Sequence, residues 1–254
     1  MSSHFFRSFE REVSSMELPD HFPDPYSSTI NPLCLEATQL LQKDLEQRNW
    51  THNFGLSHQI EAFYTGKMFG VLVVVDPLEQ IGFLAAFSGK LGESNHHEGF
   101  VPPVYDVLDK EGFLHAGMLE LTGINETISE LAKDHSDLTK QKIDQLKMKR
   151  KTLSIALQDR ISDQYHFLNG NQETKSLREI FLKYTQKNAP GGAGECAAPK
   201  LLQFAFQHQL KPISLTEFYW GRSIHSDQWQ NLQHYPPCES KCRPILSHML
   251  QGIV

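Results

Sequence analysis

The chain has 254 residues, 39% hydrophobic and 21% charged, with a formal net charge of −6. This composition fits one large or two small globular domains and excludes wholesale disorder. The acidic balance excludes a protein held to nucleic acid by bulk charge alone, and the longest apolar run, Phe69–Val75, is far short of the roughly 20 residues of a membrane-spanning helix.

The first 30 residues, with Pro19, Pro23, Pro25 and clustered serines, read as an extended leader lying over a surface. They carry no basic segment followed by an apolar core and a cleavage site, so the expected compartment is the cytoplasm. Thiols stay reduced there, and Cys34, Cys196, Cys238 and Cys242 read as core residues, metal ligands or reactive thiols rather than disulfides. "TINPLCLEATQLLQKDLEQRNW" predicts a helix: Thr29 or Asn31 can cap it, Pro32 suits the first turn, and Leu33, Ala37, Leu40, Leu41 and Leu45 recur at helical spacing.

Two apolar runs, Lys67 to Val75 and Ile81 to Phe87, flank "DPLEQ" and predict a β-hairpin whose near-continuous apolarity calls for helices on both faces. The polar connection that follows holds His96 and His97, which lack partners at metal-ligand spacing. From Phe113 to Leu168 two apolar stripes predict a pair of long antiparallel helices, ended by "NGN" at 169–171. Their basic stretch, Lys140, Lys142, Lys147, Lys149, Arg150 and Lys151, reads either as a phosphate-contacting face or as a solvated helix surface.

A short helix over "SLREIFLKY" precedes a Gly-rich lead into a helix over "CAAPKLLQFAFQHQ", a strand over "KPISLTEFYWG" and a final helix over "CESKCRPILSHML". Phe218, Tyr219, Trp220 and Trp229 near that strand's end either stack a base or form core and rim. The expected organisation is a leader over 1–30, an α/β core over 31–109 and 171–254, and a helical-hairpin insertion over 110–170.

Without the insertion the order is α-β-β-α-β-α, the order of the zinc-dependent deaminase fold, in which one metal ligand opens the second helix and two open the third. Cys196, Cys238 and Cys242 would then hold Zn²⁺ through soft anionic sulfurs at helix starts, with water or a histidine such as His234 in the fourth position. Two features depart from the deaminase pattern. Ala198 stands where the proton-carrying glutamate belongs, and the later cysteines are spaced C-x-x-x-C. Glu195 is the expected substitute acid/base, although a carboxylate there also favours a helix dipole without any chemistry.

Six blocks in order, "GKMFGVLVV", "LAAFSG", "GFVPPVYD", "GAGECAAPKLLQFAF", "LKPISLTEFYWG" and "PCESKCRPILSHML", resemble the N-terminal region of long-form RluA-type bacterial RNA pseudouridine synthases. The resemblance implies an RNA-modification accessory module that binds or positions structured RNA, ribosomal or transfer, for a pseudouridine synthase catalytic domain. The family's catalytic Arg-Leu-Asp motif does not occur in these residues, so pseudouridylation is not expected of them alone. A zinc-dependent hydrolase of nucleobases or nucleotides and a structural protein-interaction module are the alternatives.

Overall fold

A computed structural model describes residues 4–50, 52–56, 65–109, 111–134, 136–223 and 228–253. In chain order its elements are β1 (Arg7–Ser8), α1 (Pro32–Gln47), β2 (Lys67–Val75), β3 (Ile81–Phe87), α2 (Phe113–Leu131), α3 (Asp137–Gln164), β4 (His166–Leu168), β5 (Thr174–Ser176), α4 (Leu177–Thr185), α5 (Ala197–Gln207), β6 (Lys211–Trp220), β7 (His234–Tyr235) and α6 (Cys242–Met249). The chain is thus mixed helix and sheet, as its sequence predicts. It divides into two compact units, one of residues 1–104 and 166–254, the other of Tyr105–Tyr165.

In the first unit the strand order is β1-β3-β2-β6-β7, with every neighbouring pair antiparallel. Alternate strand residues point to opposite faces. Phe69, Val71 and Val73 of β2 accordingly join Phe83 and Phe87 of β3, Phe218 of β6 and Leu33, Ala37 and Leu41 of α1 in one apolar cluster. The other face lies under α5: a Cβ built on Gly70 would stand 3.0 Å from Ala197 Cβ and 3.1 Å from Leu201 Cδ1. Both faces of β2 are covered, and its unbroken buried run, Phe69 to Val75, follows from that.

Local chemistry sets the ends of these elements. Asn31, not Thr29, caps α1, its Oδ1 accepting from Leu33 N at 2.9 Å, with Pro32 in the first turn where its missing N–H costs nothing. In the "DPLEQ" turn the Asp76 carboxylate accepts from Leu78 N and Gln80 N, both at 2.8 Å, and so holds the hairpin closed.

Three expectations need correction. The leader does not simply lie on a surface: Arg7 and Ser8 pair with Phe83 and Gly82, and the Arg7 guanidinium bonds Asp44 Oδ2 at 3.0 Å and Gly99 O at 3.1 Å. The second long helix stops at Gln164, and His166–Leu168 is a strand instead; burying Phe167 completely and bonding its carbonyl to His248 Nε2 at 3.0 Å outweigh one more helical turn. Finally, α6 starts at Cys242 rather than Cys238, which sits one turn earlier, its carbonyl accepting from Cys242 N at 3.1 Å and Arg243 N at 3.2 Å.

The second unit is an antiparallel pair, α2 and α3. Ser136 caps α3, its Oγ accepting from Thr139 N at 3.3 Å. Gly117 lets the helices approach closely, since a Cβ there would run into the Leu157 side chain. Across the pair Lys149 Nζ meets Glu120 Oε1 at 2.9 Å and Arg150 Nη1 donates to Asn125 Oδ1 at 2.8 Å.

At Gly70 the α5 layer comes close to the sheet, with Ala197 and Leu201 against it. Gly70→Val is therefore expected to destabilise the protein by about 1–3 kcal/mol through overpacking. Denaturant unfolding of the variant beside wild type measures this, and unchanged stability would contradict the close approach.

Candidate metal centre

The centre is built where α5 begins and where the chain turns into α6. Gly192 and Gly194, at φ 72° and 94°, supply backbone conformations that side-chain-bearing residues avoid, and they deliver Cys196 to the N-cap of α5 in an extended conformation. Pro199, in the first turn, has no N–H to lose. Cys238 and Cys242 stand four positions apart, and the turn closed by Cys242 N on Cys238 O puts their sulfurs 3.4 Å apart.

The sulfurs of Cys196, Cys238 and Cys242 lie within 4.8 Å of one another, and among the described residues this is the group of side chains arranged to hold a metal ion. A tetrahedral zinc with sulfurs at ~2.3 Å separates them by about 3.8 Å, inside the range these atoms span. Cys196 and Cys238 are half-buried and Cys242 is buried. Three thiols this close together fit a metal ion. A disulfide would use two of them and leave the third unexplained.

Proton sharing runs in the same direction. Bonds from Cys196 and Cys242, and from the backbone N–H groups of Cys242 and Lys241, pull the Cys238 thiol down. The same thiol bonds, together with burial, push Cys196 and Cys242 up. Ionising all three at once requires a cation among them.

Glu217 is a buried carboxyl whose charge is felt at the cluster. It projects from β6 opposite Gly70, its Oε1 accepts from Ala198 N at 2.9 Å, and it is only 3% exposed. Its charge acts on Cys196 and Cys242. Burial pushes this carboxyl up to about 7, the Ala198 N–H opposes the shift, and Cys238 adds to it. Glu217 thus bonds, from a strand 19 residues further along, to the backbone of position 198 itself. The sequence did carry a signal: one acid inside a strand buried on both faces demands a reason.

Glu195 behaves differently. Its backbone carbonyl accepts from Gly89 N at 2.8 Å, its Oε2 lies beside Gly89, and its charge supports Lys67 and Lys200. Lys200, 2% exposed inside α5, donates to Phe87 O at 2.9 Å and Gly89 O at 3.1 Å and so ties α5 to the end of β3. Burial pushes its ammonium down to about 8, against the pull of Glu195 and Cys196. The sequence pattern alone does not single out Lys200, although a lysine at an apolar helix position is itself a signal.

Other expected residues lie elsewhere. His234 pairs with Phe218 in the ladder and so shares the α1 face, while Glu217 pairs with Tyr235 on the opposite face. Its Nδ1 meets Thr216 Oγ1 at 3.1 Å, and it is no part of the sulfur group. His97 Nε2 bonds Leu91 O at 3.0 Å, packed against Trp50 and Phe87. Phe218, Tyr219 and Trp220 are buried, and Trp229 stacks on Tyr219 at 6.1 Å, so these rings are core and rim. On α3, Lys140, Lys147 and Lys149 are exposed but sit with Asp137, Asp144 and Glu120, whereas Lys142 and Lys151 have no acidic partner among the described residues.

The Glu217 shift has a definite sign. A carboxyl near 7 in the folded chain and 4.5 when unfolded binds more protons folded, so its share of stability is full below pH 4.5 and is lost as pH rises toward 7. Metal-free wild type should lose ~3 kcal/mol over that window relative to Glu217→Gln. Parallel denaturant titrations across the window measure the difference, and identical pH profiles would contradict the burial.

No family model, curated protein or solved structure matches the chain, so the centre rests on its own geometry.

Proposed function

We propose that the chain is a zinc-dependent hydrolase of deaminase type, acting on an amino-substituted nucleobase, with Cys196, Cys238 and Cys242 as ligands. The observation that carries this reading is the buried Glu217 carboxyl bonded to Ala198 N at 2.9 Å beside three convergent thiols. Structural zinc sites are closed by four protein ligands, while catalytic ones keep three and an open position. The element order and the meeting of two helix starts at the sulfurs support a deaminase-like core.

Bound zinc would supply Lewis-acid activation of water at the open position. The chain's own residues supply the proton chemistry. Glu217, near 7, is close to half-ionised at neutral pH, so it can take a proton from the nucleophile and hand one to the departing amine. Ala198 N fixes its orientation, and the low exposure of the carboxyl keeps competing water away from it.

Purified protein should contain one zinc per chain, absent from the Cys196→Ser, Cys238→Ser, Cys242→Ser triple variant. Ammonia release from a panel of cytosine and adenine nucleosides, nucleotides and oligonucleotides should fall about 10²–10⁴-fold in Glu217→Gln with zinc retained. Full activity in that variant, or none in zinc-loaded wild type, would refute the reading.

A second reading, an RNA-binding accessory of pseudouridine synthases, is supported by the resemblance and by α3. There Lys142 and Lys151, without acidic partners among the described residues, stand exposed alongside Lys147 and Arg150. Reversing the charge of Lys142, Lys147, Arg150 and Lys151 should reduce the slope of log affinity against log salt by several units for structured RNA, about 0.7–0.9 for each phosphate that is no longer neutralised. An unchanged slope in a filter-binding series would remove that surface from consideration.

A further inference from the structure

The helical pair leaves much of its apolar surface in water. Ile124 is the buried residue of α2, whereas Met118 is 51% and Leu119 61% exposed, and Ile155 of α3 is 50% exposed. Between the two helices lies a groove of 690 Å³, lined by the apolar Met118, Leu121 and Ile155 and, from α3, by the cations Lys147, Arg150 and Lys151. Lys147 stands 3.9 Å from Asp144 and Arg150 donates to Asn125, while Lys151 has no acidic partner among the described residues. The charge of α2 is opposite: it carries Glu120, Glu126 and Glu130 and no lysine or arginine. Glu120 meets Lys149, but Glu126 and Glu130 are exposed without an ion-pair partner among the described residues. Thr122 lines the groove, and these two acids follow it four and eight positions on, so they continue its face of α2.

A groove with an apolar lining and one cationic wall selects an apolar helix with acids along one side. RNA would satisfy the cations but not the apolar lining, and the acids of α2 would repel its phosphates. The chain itself holds a helix of the required kind. We propose that two copies of this chain pair through their helical hairpins about a two-fold axis, α2 of each copy lying in the α2–α3 groove of the other. Glu126 and Glu130 of one copy then stand beside Lys147, Arg150 and Lys151 of the second. The pairing is self-complementary, so every contact is made twice and no groove is left open. Its product is a four-helix bundle with Met118, Leu121 and Ile155 of both copies inside. The 19 residues of α2 span about 28 Å, enough for several such layers. This inference is independent of the metal centre and goes beyond both functional readings.

Sedimentation equilibrium of the full wild-type chain should show a dimer at micromolar concentration. Zero-length carbodiimide cross-linking should join Lys147 or Lys151 to Glu126 or Glu130 in the dimer band and not in the monomer band. Met118→Asp with Ile155→Asp places charge in the groove at two half-exposed positions, which spares the fold, and should weaken the dimer at least about 10-fold. Two further chains carry opposite reversals, Lys147→Glu with Lys151→Glu and Glu126→Lys with Glu130→Lys. Each alone sets like charges across the interface and should self-associate at least about 10-fold more weakly. Their equimolar mixture restores attraction at both copies of the contact and should associate like wild type. A monomeric wild type overturns the proposal, and if it dimerises only when structured RNA is added, the groove serves RNA instead. A wild-type dimer that lacks those cross-links, or that survives all three double substitutions, uses another surface and overturns it equally. Failure of the mixture to associate would show that α2 does not lie in the second copy's groove.

Discussion

The hydrogen bond from Ala198 N to Glu217 is the constraint around which the core is organised. A helix start leaves N–H groups without partners, and here one of them is satisfied from another element by a carboxyl buried in the sheet. That bond sets where α5 begins over the sheet, and Gly70 lets the two surfaces come close enough for it to form. The Gly-rich lead adds the backbone freedom to bring Cys196 to the same spot.

Charge around this start is balanced rather than absent. Lys200 is buried in α5 with two carbonyls of the β3 end as its partners, and Glu195 offsets it. Glu217 is relieved by protonation, since burial moves it to about 7. The thiols concentrate negative charge on Cys238. Near the three sulfurs the chain therefore holds a buried carboxyl shifted toward neutral pH.

The helical pair 105–165 follows a separate logic. Its buried residues are few, Ile124 and Leu157 among them, and much of its cohesion comes from Gly117 against Leu157 and from the cross-links Lys149–Glu120 and Arg150–Asn125. Several lysines that look like a free basic stripe in sequence are neutralised in place. Spacing along one helix reveals like charges, but not the acids that a second helix or a neighbouring turn brings beside them.

Much of the fold was legible in local pattern. Hydrophobic period located α1, the β2–β3 hairpin and α5, and the composition of the turn at Asp76 gave the hairpin its closure. The short strands were not legible: β1, β4 and β7 hold two or three residues each and exist because a neighbouring strand or a buried aromatic recruits them. The sequence by itself determined which residues could offer thiolates to a soft metal, since only cysteine ionises to one, and that Cys196 would stand at a helix start. Tertiary structure alone decided that the Glu217 carboxyl meets the backbone of Ala198, that His234 faces the other side of the sheet, and that Tyr26 packs under Arg243 of the cysteine turn. Each of these depends on strand register or long-range packing, and a shift of one residue in register would carry the side chain to the opposite face.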